Sequence, residues 1–278
     1  FGSQATWTSP PPPCRTSATT FPLRSACSAS ASVALGITWS SALASSAARR
    51  AWAVAPGATA AALNSLVEKL IKENGDQAAF LGYTPKGAKR PYPASLCVSV
   101  NDEVVHGIPN EKEKILKEGD IVSLDLGLRH NGLFTDAAVT VPVGEVDEPA
   151  KKLIETTKKA LAIGIATAQV GGYIGDIGSA IEKFVKPFGY GIVRDLAGHG
   201  VGYAIHEPPF VPNFGEKGKG KKLLPGMVLA IEPMLNEGTE KVVLDEDGYT
   251  YRTADGKRSA HFEHTIVITE TGAEILTS

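Results

Sequence analysis

Asp125, Asp136, His199, Glu232 and Glu263 each sit within or at the edge of a short apolar run that reads as a β-strand. A bare carboxylate in such a setting is costly to bury and must find a partner. Five groups of this kind constrain the fold, because the strands carrying them are expected to converge. Separate salt bridges are the plain alternative. A shared cation accounts for all five at once. Four carboxylates and one imidazole suit a pair of divalent first-row ions better than a closed structural zinc site. Two such ions about 3.5–4 Å apart share bridging carboxylates and activate a water between them. The pattern points to hydrolytic chemistry.

The chain of 278 residues is long enough for one large domain or two modest halves, and 43% apolar content is ample for a core. A net charge of -2 gives no sign of a nucleic-acid partner. Cys14, Cys27 and Cys97 form no framework and no CxxC, which fits a reducing compartment. No apolar run reaches the ~18 residues of a membrane span. Charge is unevenly distributed. All 30 acidic residues and all but four of the 28 basic ones lie beyond residue 67. Residues 1–55 are rich in Ser, Ala, Thr and Pro, and are expected to be disordered and to pack weakly on a catalytic domain of residues 56–278. The composition of this segment suits a transit peptide, a fragment's edge or an out-of-frame stretch.

Periodicity predicts a helix over 58–75, with Leu63, Leu66, Val67, Leu70 and Ile71 on one face. Two more helices are expected over Pro149–Val170 and Asp176–Phe188. Strand-like runs occur at Leu96–Val100, Ile121–Leu128, Leu133–Val141, Gly198–His206, Met227–Glu232, Lys241–Leu244 and Phe262–Thr269. This order predicts an α+β domain with a mainly antiparallel sheet. Within it, Ile121–Val141 reads as a hairpin. A turn centred on His130-Asn131 would set Asp125 opposite Asp136. One centred on Asn131-Gly132 would make them diagonal neighbours. Either keeps both carboxylates on one face, where two like charges need a cation.

Gly198-His199-Gly200-Val201-Gly202 precedes His206-Glu207-Pro208, and the glycines permit close approach of backbone and substrate. Glu232 ends an apolar run that Pro233 stops. His106 follows the run Cys97–Val105, and spacing alone leaves it as either a substrate-contacting group or a plain loop residue.

Ser95-Leu96-Cys97-Val98-Ser99-Val100-Asn101, leading to Val105-His106-Gly107-Ile108-Pro109, resembles type I methionine aminopeptidases. So do Leu124-Asp125-Leu126, Thr135-Asp136, the two histidine motifs, Ile231-Glu232-Pro233-Met234 and Phe262-Glu263-His264-Thr265. The resemblance covers residues 56–278. It implies a pita-bread fold, with two pseudo-symmetric α/β halves around a curved, mainly antiparallel sheet and a dinuclear centre between them. By motif position Asp125 would bind one metal, Asp136 and Glu263 would bridge, and His199 and Glu232 would hold the other. The ions would be two of Co, Mn, Fe or Zn. His106 and His206 would contact substrate and stabilise the transition state, and Glu232 would shuttle the proton.

The same resemblance implies a methionine pocket from Phe80, Tyr83, Tyr92, Cys97, His106, His206 and Tyr249. It also implies a monovalent cation near Asn101 and Ser259, with Glu103 in the same loop. The implied activity is removal of the N-terminal methionine from nascent proteins whose second residue is small. A monomer acting on a nascent peptide is expected, with the ribosome as partner. The expected location is cytoplasmic, or organellar if residues 1–55 are a transit peptide. No specific nucleic acid or membrane is expected. The absence of a long insertion between His206 and Glu232 separates the chain from the type II subfamily. The alternatives are an X-Pro aminopeptidase of the same fold, or a pita-bread binding module that has lost catalysis.

Overall fold

The computed structural model describes residues 54–277. The expectations for residues 1–53 lie outside the described residues. Helix α1 (Ala60–Glu73) starts where the Thr59 hydroxyl accepts the Ala62 N–H, and Leu63, Leu70 and Ile71 are buried along one face. Strand β1 (Gln77–Ala78) opens a long loop that ends at β2 (Cys97–Val100) and β3 (Glu103–Val105).

β4 (Ile121–His130) and β5 (Leu133–Pro142) form the expected hairpin. Its turn is Asn131-Gly132, with φ of 48° and 88°. Two positive φ values in a row match the twist of the flanking strands. The register is therefore the diagonal one. Asp125 faces Ala138, and Gly127 faces Asp136.

α2 (Glu148–Thr167) is capped by the Asp147 carboxylate, which accepts the Ala150 N–H. α3 (Ile174–Val185) runs into a 3₁₀ turn, Lys186–Phe188, that Gly189 closes in a left-handed conformation. The remaining strands are β6 (Gly191–Ile192), β7 (Gly198–Gly200), β8 (Glu207–Val211), β9 (Val228–Ile231), β10 (Met234–Asn236), β11 (Val242–Leu244), β12 (Tyr251–Thr253), β13 (Ser259–His261), β14 (Glu263–Thr269) and β15 (Gly272–Ile275). The run expected over Gly198–His206 holds only three strand residues. The chain leaves the ladder after Gly200, loops through 201–206 and re-enters as β8.

Nine strands make the main sheet, in the order β1-β4-β5-β14-β9-β7-β8, with β2 on β4 and β15 on β14. Each pairing is antiparallel. The two α/β halves join at β5 and β14. Helices cover one face only. Val122, Leu126 and Leu128 of β4 pack with α1, whereas Leu229, Ile231, Ile266 and Ile268 pack with α2 and α3. Side chains alternate across a strand. The odd residues of β14, the even ones of β9 and, beyond Ile121 at its start, the odd ones of β4 therefore face away from the helices. Asp125 and Glu263 belong to those sets, and Glu232 continues the even set one residue past β9.

Candidate metal centre and substrate pocket

Register places the five residues in adjoining rows. Asp125 and Glu263 both pair with Ala138, one from each side of β5. The β14–β9 ladder ends at His264–Ile231, so Glu232 lies one step beyond, beside Glu263. In the next row Asp136 faces Gly127, and Ala230 pairs with both Thr265 and His199. Gly127, Ala138 and Ala230 leave space above the sheet between the polar side chains. A Cβ on Gly127 would come within 2.7 Å of the Phe80 ring, so glycine lets the 79–92 loop press down beside Asp136.

The donor atoms converge. Three sets, Asp125–Asp136–Glu263, His199–Glu232–Glu263 and Asp136–His199–His206, each hold one atom per residue within 4.8 Å of the others. Asp136, Glu263 and His199 each belong to two sets, and of these only the carboxylates have two oxygens with which to reach two neighbouring ions. The His199 Nδ1–H donates to the Gly200 carbonyl at 2.9 Å, so Nε2 keeps its lone pair for the cleft. That nitrogen lies 3.5 Å from Glu232 Oε1 and 4.0 Å from Asp136 Oδ2. Asn213 donates to the Glu232 carbonyl at 3.0 Å and anchors the chain there. Asp125 Oδ1 and Glu263 Oε1 are buried with no hydrogen-bond partner. Orphaned carboxylate oxygens in an oxygen-rich set with one imidazole fit divalent cations.

Electrostatics agree. Burial pushes Asp125 up to about 6, Glu232 adding to the rise and His261 opposing it. Burial pushes Glu232 up to about 7 against the pull of His199. Asp136 and Glu263 are driven well above the carboxylate range, first by burial and then by the other carboxylates. Four acids gathered at this cost make a site for a cation.

Two of the expected histidines flank the cluster. His106 is in a left-handed conformation (φ 59°) just after β3. Burial, with His261 and His199 nearby, lowers it to about 4. His206 lies at the exposed mouth, with its ring 4.5 Å from that of His199. Partial desolvation and the imidazoles of His199 and His106 hold it below the usual range. Both are neutral at pH 7. His206 Nδ1 is 2.9 Å from the Tyr83 hydroxyl. With Tyr83 donating, the proton sits on Nε2, which then points a donor into the cleft.

Phe80, Tyr92, Cys97 and Tyr249 share one apolar cluster with Ile108 and Ile205, and Tyr83 and Phe134 pack against it. It is separate from the two cores beneath the helices. Cys97 pairs with Asp125 across β2 and β4, so the pocket adjoins the carboxylates. Tyr92 donates to the Gly107 carbonyl at 3.0 Å and Tyr249 donates to the Arg90 carbonyl, which fixes both rings. A surface hollow lined by Ser179, Glu182, Arg194 and Glu240 lies elsewhere and contains none of these residues.

Asn101 and Ser259 also meet: the Ser259 N–H donates to the Asn101 carbonyl at 2.8 Å. Glu103 is otherwise engaged. Its carboxylate is held by Lys114 at 2.7 Å and Arg252 at 2.8 Å, so its charge is already balanced.

Sequence reasoning did not single out His261. It is buried, with Nε2 3.6 Å from Glu232 Oε2 and 4.0 Å from Glu263 Oε2. The available signal was its spacing, two residues before Glu263 in extended chain, which sets the two on one face. Ile108 and Phe134 were likewise unassigned members of the pocket cluster.

A one-sided curved sheet with a carboxylate-histidine cluster and an adjoining apolar pocket defines a metal-dependent hydrolase. Residues 37–270 match the model of metallopeptidase family M24, and the chain belongs to that family. It is 48% identical over 227 residues to methionine aminopeptidase of Aquifex aeolicus, covering 81% of this chain and 87% of that one. A crystal structure of methionine aminopeptidase from Thermotoga maritima superposes with a TM-score of 0.77 at 48% identity, over 81% of this chain and 88% of that one. Prolidase from Pyrococcus furiosus matches with a TM-score of 0.61 at 25% identity, over 81% of this chain and 57% of the prolidase. The chain has the pita-bread fold that these proteins share.

Proposed function

We propose that this chain is a methionine aminopeptidase that removes the N-terminal methionine of new polypeptides when the second residue is small. The observation that carries this reading is the joining of two features on one sheet face: the five-residue donor set and the pocket of Phe80, Tyr92, Cys97 and Tyr249. The family uses divalent metal, and the finer reading is two ions. Asp125 would hold one, Asp136 and Glu263 both, and His199 and Glu232 the other. Ions so held polarise the scissile carbonyl and lower the pKa of the attacking water.

The protein's own groups supply the rest. The apolar pocket takes an unbranched thioether side chain, which adapts to the rings and to Cys97. Neutral His206 offers its Nε2–H to the oxygen on which charge develops, and Tyr83 fixes that tautomer. Neutral His106 is the second imidazole beside the cluster that would contact substrate. Glu232 takes a proton from the water and returns it to the departing amine as the peptide C–N bond breaks. A monovalent cation beside the Asn101–Ser259 contact would rest on backbone oxygens and the Ser259 hydroxyl, since Glu103 is paired elsewhere.

A nascent peptide is then the substrate, the ribosome its source, and a cytoplasmic monomer the simplest form. No described helix is long and apolar enough to cross a membrane. X-Pro cleavage has less support, because identity and superposition on prolidase are both lower than on methionine aminopeptidases.

A peptide panel tests the reading. Met-Ala and Met-Gly peptides should be cleaved well, and Met-Lys peptides poorly. Preference for X-Pro bonds, or for Leu over Met, would sink it. A second expected result concerns His206→Ala. If the imidazole stabilises the transition state, kcat should fall on the order of 10²-fold while KM changes little. Bound metal, measured on the same sample, should stay near the wild-type content. An equal loss of metal would instead make His206 a ligand.

A further inference from the structure

His261 stands in the cleft without a task in the reading above. Its backbone is pinned. The His261 N–H donates to Thr140 Oγ1 at 2.8 Å, and the Thr140 hydroxyl donates to the His261 carbonyl at 2.8 Å. Strand pairing sets it opposite Met234, two residues after Glu232. The backbone that carries the ring is thus fixed against the chain that leaves Glu232. It is 2% exposed, and neither ring nitrogen has a hydrogen-bond partner in the protein. A buried imidazole with two orphaned nitrogens needs explaining.

Glu232 lies between two imidazoles. Its Oε1 is 3.5 Å from His199 Nε2, and its Oε2 is 3.6 Å from His261 Nε2. The two nitrogens differ in what they offer. His199 spends its N–H on the Gly200 carbonyl and presents a lone pair. His261 has no such acceptor for Nδ1 and is free to carry its proton on Nε2. A shift of about 0.5 Å would bring that N–H to hydrogen-bond distance of Oε2. We propose that His261 is a positioning residue, whose Nε2–H holds the outer oxygen of Glu232 and turns Oε1 towards the metal that His199 shares. Glu263, with Oε2 4.0 Å from the same nitrogen, is the second carboxylate it orients. Outer groups of this kind orient carboxylate ligands, and their loss typically costs 10–100-fold in metal affinity. The role rests on the dinuclear reading of the site.

The test compares His261→Gln, which keeps an N–H donor, with His261→Leu and His261→Ala, which do not. Calorimetric titration of metal-free protein with Mn²⁺ and Co²⁺ gives affinity, and the Co²⁺ absorption spectrum reports the coordinating atoms. Affinity should fall 10–100-fold in His261→Leu and His261→Ala, and His261→Gln should recover most of it. The spectrum of the Gln variant should match wild type. Wild-type affinity in the donor-free variants would overturn the assignment. So would a Gln variant as weak as Leu with a changed spectrum, since the ring would then be a direct ligand. Wild-type protein that binds neither ion would overturn the dinuclear reading itself.

Discussion

Replacing Asp136 with Asn should abolish turnover and, in metal-free protein, raise the melting temperature. The substitution keeps side-chain shape and removes one charge. Asp136 shares donor sets with Asp125 and Glu263 on one side and with His199 and His206 on the other. Losing its charge should weaken both ions at once, so kcat/KM should drop ~10³-fold or more, at least ~4 kcal/mol of transition-state stabilisation. Stability should move the other way. Burial, Asp125 and Glu232 all disfavour an ionised Asp136, so without a cation the fold must keep a proton that the unfolded chain releases, a cost that a neutral amide avoids. A purely structural carboxylate would behave oppositely, because removing one partner of a protein salt bridge destabilises. Kinetics with added Mn²⁺ and calorimetry with chelator decide. Full activity, or a lower melting temperature in the metal-free variant, would refute the shared-ligand role.

Local features were legible in the sequence, and contacts between distant strands were not. The Asp125–Asp136 hairpin could be read because two long alternating strands flank Asn131-Gly132, and only the choice between two even registers stayed open. Glycines marked His199, and Pro233 marked the strand end at Glu232. Nothing local says that β14 inserts between β5 and β9, which is what sets Glu263 beside both Asp125 and Glu232. Short strands such as β6, β10 and β13 have too few residues to show alternation. His261, in a three-residue strand, was invisible for that reason. Tyr83 was legible as a pocket ring, but its hydrogen bond to His206 spans 123 residues. The pairing of the Glu103 side chain was not legible, because its two basic partners, Lys114 and Arg252, come from separate segments.

Metal removal should make stability fall as pH rises above about 6.5, and metal should reverse that slope. A group whose folded pKa is raised holds its proton while the unfolded chain has released it. Its contribution is complete below the unfolded pKa and is lost as pH rises through the folded one. Asp125, at about 6, has finished this loss by neutral pH. Glu232, at about 7, and Asp136 and Glu263, driven well above their ordinary range, have not. Histidines act oppositely. His106, His206 and His261 are lowered by burial, so they lose stability as pH falls below ~6.5. Between about pH 4 and 6.5 the two sets oppose each other. Above 6.5 the histidines are neutral in both states and the carboxylates act alone. Each one still protonated costs about 1.4 kcal/mol per pH unit, or roughly 3–5 °C of melting temperature in a domain of this size. Mn²⁺ needs those same groups ionised, so its binding strengthens as pH rises. At 100 times its Kd it adds about 2.7 kcal/mol per site. The gap between metal-loaded and chelated melting temperatures should therefore widen from pH 6.5 to 8. Activity lost to the chelator should return with Mn²⁺, Fe²⁺ or Co²⁺. A gap that stays constant across that range would mean the carboxylates are balanced by the protein alone, and the site would not be a metal centre.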